Sequence, residues 1–234
     1  MNALLKTIVI LVATATAIQT TLANETDLIE PLRSYTRGLP GEFGQIAPDR
    51  IATLNNAASF VRERLANGKS AQLTFICTHN SRRSHLAQIW AQTAATYYNL
   101  SNVTAFSGGT EATACNIRTV RALRRAGFSI VDSTSSTNPV YLAKVTETAP
   151  PLKLFSKVYS ADGNPQRDFA AMFCCDQADS SCPTVTGAAL RVPIHYKDPK
   201  VSDNSPEENS TYDERCRQIA REMFYLMSAV RRAS

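Results

Sequence analysis

Between Pro48 and Asn67 apolar residues fall at Ile51, Leu54, Ala57, Ala58, Val61 and Leu65, a spacing that predicts an amphipathic helix, with Gly68 as its stop. The short run Leu73-Thr-Phe-Ile76 is β-rich and predicts a buried strand, after which a loop opens a helix from about Arg83 to Tyr97. Val103-Thr-Ala-Phe106 predicts a second strand ending at Gly108 and Gly109. Asn116 then caps a helix that runs to Ala126 and stops at Gly127. Further strands are expected at 152–159, 169–174 and 190–194. A last helix is expected over 207–230, apolar at Ile219, Met223, Phe224, Met227 and Val230. Two stretches read as irregular: 24–44, punctuated by Pro31, Gly38, Pro40, Gly41 and Gly44, and 132–152, rich in Ser, Thr and Pro. Strands alternating with helices predict a parallel sheet covered on both faces, with ligands bound beyond the C-terminal strand ends. Cys77 falls at such an end.

The first residues follow a different pattern. Lys6 precedes a twelve-residue apolar run to Ile18, and Thr21-Leu-Ala23 leads into a polar, acidic segment at Asn24-Glu25. This is the layout of a secretory signal peptide over 1–23, and the run is too short to span a membrane comfortably. The chain is therefore expected to be exported, periplasmic or extracellular, with an extension carrying one helix over 24–70 and a catalytic-type domain over 71–234. Its 234 residues suit one α/β domain with an extension.

The composition is 44% hydrophobic and 19% charged, with a net charge of +5, and no basic stripe is interleaved with aromatics, which argues against nucleic acid as a partner. Arg118, Arg121, Arg124 and Arg125 share a helical face and read as solvated surface. His79, His85 and His195 are dispersed and form no metal-ligand spacing, so neither a metal nor a tightly bound cofactor is expected. Six cysteines stand at 77, 115, 174, 175, 182 and 216. In an exported chain disulfides are the default expectation, but adjacent Cys174 and Cys175 seldom form a structural framework, and redox chemistry fits better.

The sharpest feature is Cys77, Thr78, His79, Asn80, Ser81, Arg82, Arg83 and Ser84: cysteine, five residues, arginine and a hydroxyl, between a strand and a helix. A loop closing onto a helix N-terminus turns successive backbone N–H groups inward and cradles a tetrahedral oxyanion. The same field favours the thiolate of a cysteine at its centre. Arg83 supplies a planar fork for two anion oxygens, Ser84 a hydrogen bond to the sulfur, and Asn80 a pin for the loop. Thiolate attack on an oxyanion ester needs a proton donor for the leaving oxygen. Asp198, fixed by Pro199, is the candidate, ahead of His79 and His85.

These residues resemble the low-molecular-weight protein tyrosine phosphatase superfamily over about 71–231. The likeness rests on Thr74-Phe-Ile-Cys77 with its loop to Ser84, on Phe106-Ser-Gly-Gly-Thr-Glu111, and on Asp198-Pro199. It implies a three-layer α/β fold whose four-stranded parallel sheet is flanked by helices, here with an extra N-terminal helix. Cys175 and Cys182, with Pro183, resemble the redox loop of thioredoxin-coupled arsenate reductases. That resemblance implies that Cys77 attacks arsenate, Cys175 releases arsenite and Cys182 resolves the disulfide for an external dithiol such as thioredoxin. Lys200 and Val201 after Asp-Pro also favour the reductase side, since the phosphatases place an aromatic there.

Phosphomonoester hydrolysis through a Cys77 phosphoenzyme is the alternative, and a non-catalytic anion-binding module a third. Three departures bear on the choice. Gln88 stands where such reductases often carry a glutamate near a potassium site. His79 replaces a usual glycine, where a positive φ would be strained. Cys174 is an additional thiol, expected to be buried, and Cys115 and Cys216 are expected to be inert. A monomer is expected.

Overall fold

The computed structural model describes residues 27–182 and 184–232. The leader expected over 1–23 lies outside the described residues. Four strands, β1 (Ala71–Cys77), β2 (Val103–Gly109), β6 (Phe169–Phe173) and β7 (Ala188–Pro193), form one sheet in the order β2-β1-β6-β7, and every pairing is parallel. All of β6 and all but one residue of β1 are buried, which is the mark of central strands covered on both faces. Helices α3 (Arg83–Tyr97) and α6 (Glu208–Arg231) pack on each other, and α3 lies against β1 and β2. α2 (Pro48–Ala66) joins α6 and reaches β1 and β7, with Leu54, Ala57, Ala58 and Val61 fully buried.

Trp90 on α3 centres the helix packing. Tyr35 stacks on it at 5.2 Å, Phe128 meets it edge-on at 4.9 Å, and its indole N–H donates to Cys216 Sγ at 3.2 Å. Tyr35 belongs to a stretch expected to be irregular that in fact forms α1 (Glu30–Thr36), followed by a 3-10 helix over Leu39–Gln45. The prolines that read as breakers, Pro31 and Pro40, sit in the first turns, where the missing N–H is no loss and φ is already helical.

The expected loop over 132–152 is also corrected. β4 (Tyr141–Lys144) lies within it, between β3 (Ser129–Asp132) and β5 (Leu152–Leu154), as a separate antiparallel sheet in the order β3-β4-β5. The strand expected over 152–159 ends at Leu154 and belongs to that small sheet, because residues 156–159 bond to the loop after β1 and to the end of β2. Helix α4 (Ile117–Arg125) begins at Asn116, whose Oδ1 accepts the Arg118 N–H at 2.9 Å.

Candidate functional site

The loop from Cys77 to Arg83 leaves the C-terminal end of β1 and enters α3. Almost every carbonyl on it is held from outside. Thr110 N donates to Cys77 O (3.1 Å) and Glu111 N to Thr78 O (2.8 Å), while Asn116 N donates to Ser81 O (2.9 Å). Ser156 Oγ donates to His79 O at 2.8 Å, with Thr113 Oγ1 on the same carbonyl at 3.2 Å. Across a trans peptide the N–H points opposite to the carbonyl. The amides of Thr78, His79, Asn80 and Arg82 are therefore turned toward the loop's centre, as an anion cradle requires. Gly109 permits this closeness: a Cβ there would lie 2.6 Å from Thr78 O and 2.7 Å from Asn80 N.

The residue in the left-handed region is Asn80, at φ 43°, and not His79. Asparagine tolerates that conformation, and its side chain uses it. Nδ2 donates to Ser84 Oγ at 2.9 Å, and Oδ1 accepts Lys157 N at 2.9 Å. Ser84 Oγ in turn lies 3.1 Å from Cys77 Sγ. His79 is half-exposed and points outward toward Glu111, 3.8 Å away. Arg82 also points away, donating to Tyr212 OH (2.7 Å) and Asp203 Oδ2 (3.0 Å), so its side chain anchors the loop to α6 and only its amide faces the cradle.

Arg83 is 13% exposed. One Nη donates to Tyr196 O at 3.1 Å and the other pairs with Asp198 Oδ2 at 2.8 Å. Its Nε is buried with no partner, a donor that an oxyanion in the loop would satisfy. Asp198 caps a 3-10 turn over Pro199–Ser202, its Oδ1 accepting Lys200 N at 3.1 Å. Arg83 and Asp198 open on a cleft of about 560 Å³ shared with Asp176, Gln177, His195, Tyr196 and Lys197.

Cys175 sits beside the loop. β6 runs next to β1, with Phe173 opposite Ile76, and Cys174 N donates to Ile76 O at 2.7 Å, so Cys175 emerges level with Thr78. Thr78 Oγ1 is 3.5 Å from Cys175 Sγ and donates to Gln177 at 3.3 Å. Cys175 is the N-cap of α5 (Asp176–Ser181), its sulfur accepting Ala178 N at 3.5 Å, and Cys182 is the C-cap. At 1.5 Å of rise per residue the two cysteines stand about 10 Å apart along the helix, beyond the ~7 Å that a disulfide spans. All six cysteines are free. Arg191 on β7 fastens the far end of α5, donating to the carbonyls of Asp179 and Cys182 and pairing with the Asp179 carboxylate, which His195 Nε2 also meets at 2.8 Å.

The remaining thiols are not poised for this chemistry, although Cys174 adjoins Cys175 on the strand beside Cys77. Burial raises Cys174 well above the ordinary thiol range, and burial pushes Cys115 and Cys216 up to about 12, so all three stay protonated. Gln88 offers no charge to a cation: its Oε1 accepts Ser107 Oγ (2.6 Å) and its Nε2 donates to Ala105 O (3.3 Å). Lys153, Lys157 and Asp162 line the same hollow. Among the described residues no cluster of His, Cys, Asp and Glu could hold a metal. Of the arginine cluster, Arg118, Arg124 and Arg125 are paired with Glu208, Asp132 and Asp213.

Sequence patterns missed Ser156, Thr113, Gln177 and Arg191, all of which act on the site through contacts 9 to 99 positions apart in the chain. No local motif marks such residues.

No family model matches the chain. Two proteins named arsenate reductase are similar to it. One, from Brevibacillus brevis, is 32% identical over 125 residues, covering 53% of this chain and 74% of that protein. The other, from Bacillus licheniformis, is 27% identical over 144 residues, covering 61% and 84%. Among solved structures, a low-molecular-weight phosphotyrosine phosphatase from Vibrio cholerae O395 aligns at a TM-score of 0.45 and 14% identity, over 68% of this chain and 95% of that one. A low-molecular-weight protein tyrosine phosphatase from T. tengcongensis aligns at 0.47 and 14%, over 68% and 99%.

Proposed function

The chain belongs to the family of the Brevibacillus brevis arsenate reductase to which it is similar, and we propose that it reduces arsenate to arsenite through Cys77, Cys175 and Cys182. The position of Cys175 carries this reading: a second thiol leaves the neighbouring strand level with Thr78 and within 3.5 Å of its hydroxyl. Hydrolysis has no use for that thiol.

Cys77 thiolate attacks arsenic(V) in the cradle, and a hydroxide-equivalent oxygen leaves with a proton from Asp198. Arg83 and the loop amides carry the charge of the adduct. Cys175 thiolate then attacks Cys77 Sγ; the S–As bond breaks, arsenic keeps the electron pair, and arsenite departs as Cys77–Cys175 forms. Cys182 attacks Cys175, freeing Cys77 and moving the disulfide to Cys175–Cys182, where an external dithiol of the thioredoxin class takes it up by exchange. The last exchange requires α5 to unwind, since its two caps are too far apart to bond. If the leader exports the chain, that dithiol acts outside the cytoplasm.

The cleft supports a small inorganic oxyanion. Its walls are the charged and polar groups of Asp176, Gln177, His195, Lys197 and Asp198, and the Tyr196 ring is buried away from it. Beside Asp198 stand Lys200 and the exposed Val201, not an aromatic ring. Phosphomonoester hydrolysis is the second reading, supported by the Arg83–Asp198 pair and by the Ser84 hydroxyl beside Cys77, which it too would use.

The variant Cys182→Ser tests the relay. Expected is a single turnover that stops at a Cys77–Cys175 disulfide, with any phosphate-ester cleavage unchanged. Sustained arsenate turnover by that variant, with dithiol present, rules the relay out.

A further inference from the structure

Arg50 belongs to α2, which precedes the segment that carries the family likeness, yet its guanidinium ends beside the site. Nη2 donates to His195 O at 2.5 Å, Nε lies 3.5 Å from Glu222 Oε2, and the group stands 5.2 Å over the Tyr196 ring. Glu222, 3% exposed on α6, accepts the Tyr196 hydroxyl at 2.8 Å and Gln218 Nε2 at 3.0 Å. Burial raises the Tyr196 phenol well above its ordinary range, so its O–H remains a donor.

Two of the residues that Arg50 contacts, His195 and Tyr196, lie just before Asp198. The backbone of this segment leaves β7 with Tyr196 N bonded to Cys174 O at 3.0 Å, and Tyr196 O accepts from Arg83. Beyond that point, Asp198 is held by Arg83 and by its own Lys200 turn. On the side facing α2, the path from His195 to Asp198 is fixed by Arg50 and by the Glu222–Tyr196 pair that Arg50 neutralises. A buried carboxylate keeps such a geometry only while a cation compensates it.

We propose that Arg50 is a positioning residue for the proton donor, and that α2 serves the reaction by setting the His195–Asp198 segment over the anion loop. The proposal rests on reading Asp198 as the acid. It explains a helix outside the family core by the contacts that its Arg50 makes with the site's rim. Arg50 touches neither substrate nor Cys77, so its loss should weaken proton delivery without altering the cradle.

The test compares Arg50→Met, Arg50→Lys, Arg50→Met/Glu222→Gln and Asp198→Asn in cleaving p-nitrophenyl phosphate and phenyl phosphate. Nitrophenolate leaves without help, whereas phenolate needs a proton, so a fault in proton delivery shows as selectivity between the esters. For Arg50→Met the expected kcat loss is about tenfold larger on phenyl phosphate, with KM and the rate of Cys77 alkylation by iodoacetate unchanged. Arg50→Lys should recover part of that loss. The double variant, which leaves no uncompensated carboxylate, should keep the ester selectivity while regaining thermal stability. Equal losses on both esters, or a defect that the double variant repairs, would overturn the proposal and reduce Arg50 to a stabilising contact. If Asp198→Asn shows ester selectivity and Arg50→Met does not, only Arg50's part fails. If Asp198→Asn shows none, the acid assignment falls and the proposal with it.

Discussion

The anion loop and the Cys175–Cys182 helix lie side by side and are built in opposite ways. In the loop, carbonyls of Cys77, Thr78, His79 and Ser81 are tied to groups on other segments, from Thr110 and Glu111 to Asn116 and Ser156. Asn80 alone bridges Ser84 and Lys157. α5 has six residues, is capped at its start by a sulfur, and is fastened at its far end through the single side chain of Arg191, with His195 on Asp179. The contrast follows from the chemistry proposed for each. An oxyanion is stabilised best by donors already in place. A disulfide exchange between residues at opposite ends of a helix requires that the helix come apart. One segment is over-determined and the other held by few, separable contacts.

Breaking the rigid side should have the largest effect. Gly109→Ala places a Cβ 2.2 Å from Glu111 O and 2.6 Å from Thr78 O, so the β2 end and the loop must separate. Turnover is expected to fall about a hundredfold, since small misplacements of reacting groups cost that much. Stability should fall by about 1–3 kcal/mol, as for other overpacked sites. Near-native turnover in this variant, measured on either substrate, would show that the loop is not under the constraint described.

Loosening the sparsely held side should act in the other direction. Arg191→Met removes the donor to the Asp179 and Cys182 carbonyls. Oxidation of Cys175 with Cys182 should then run up to about tenfold faster, the kinetic worth of one charge-assisted hydrogen bond. The measurement is the rate of disulfide appearance under diamide, trapped by alkylation. A slower or unchanged rate would mean that Arg191 does not restrain α5.

Acid should distinguish the two regions more gently. His85 is fully buried on the first turn of α3; its Nε2 donates to Phe155 O at 3.2 Å, and Nδ1 has no partner. Burial, aided by the charge of Lys157, lowers its pKa to about 3. Below its ordinary value of 6.5 the unfolded chain takes up a proton that the native protein refuses down to about 3. Stability therefore falls as pH falls through that window, by up to about 1.4 kcal/mol per pH unit from this group. His85→Gln, which can keep the bond to Phe155, should flatten that limb of the stability curve. In wild-type protein at pH 5, hydrogen exchange should rise first around 77–85 and 155–159. A pH–stability curve unchanged by the substitution would contradict this role for His85.

The two regions also differed in how far the chain disclosed them. The anion loop was legible because its chemistry is contiguous: cysteine, arginine and hydroxyl lie within eight positions, between a buried apolar run and a helical one. The long helices followed from apolar periodicity, and the parallel sheet from the alternation of strands with helices, whereas the strand order did not. Helix α1 and the 3-10 helix after it were hidden because Pro31 and Pro40 mark starts as well as stops. β4 was hidden because four alternating residues among Ser, Thr and Pro form no pattern above background. The clamp on α5 and the Arg50–Glu222–Tyr196 cluster join residues 9 to 172 positions apart. Such contacts are created by the sheet order and helix packing, and no spacing announces them.

The relay itself is tested most directly by mixing fully reduced protein with arsenate, without external dithiol, and measuring arsenite and remaining free thiols together. The expected result is one arsenite per chain with the loss of two thiols, located at Cys175 and Cys182 by peptide mapping. No arsenite, with every thiol retained while p-nitrophenyl phosphate is hydrolysed, would contradict the relay and leave the protein a phosphatase.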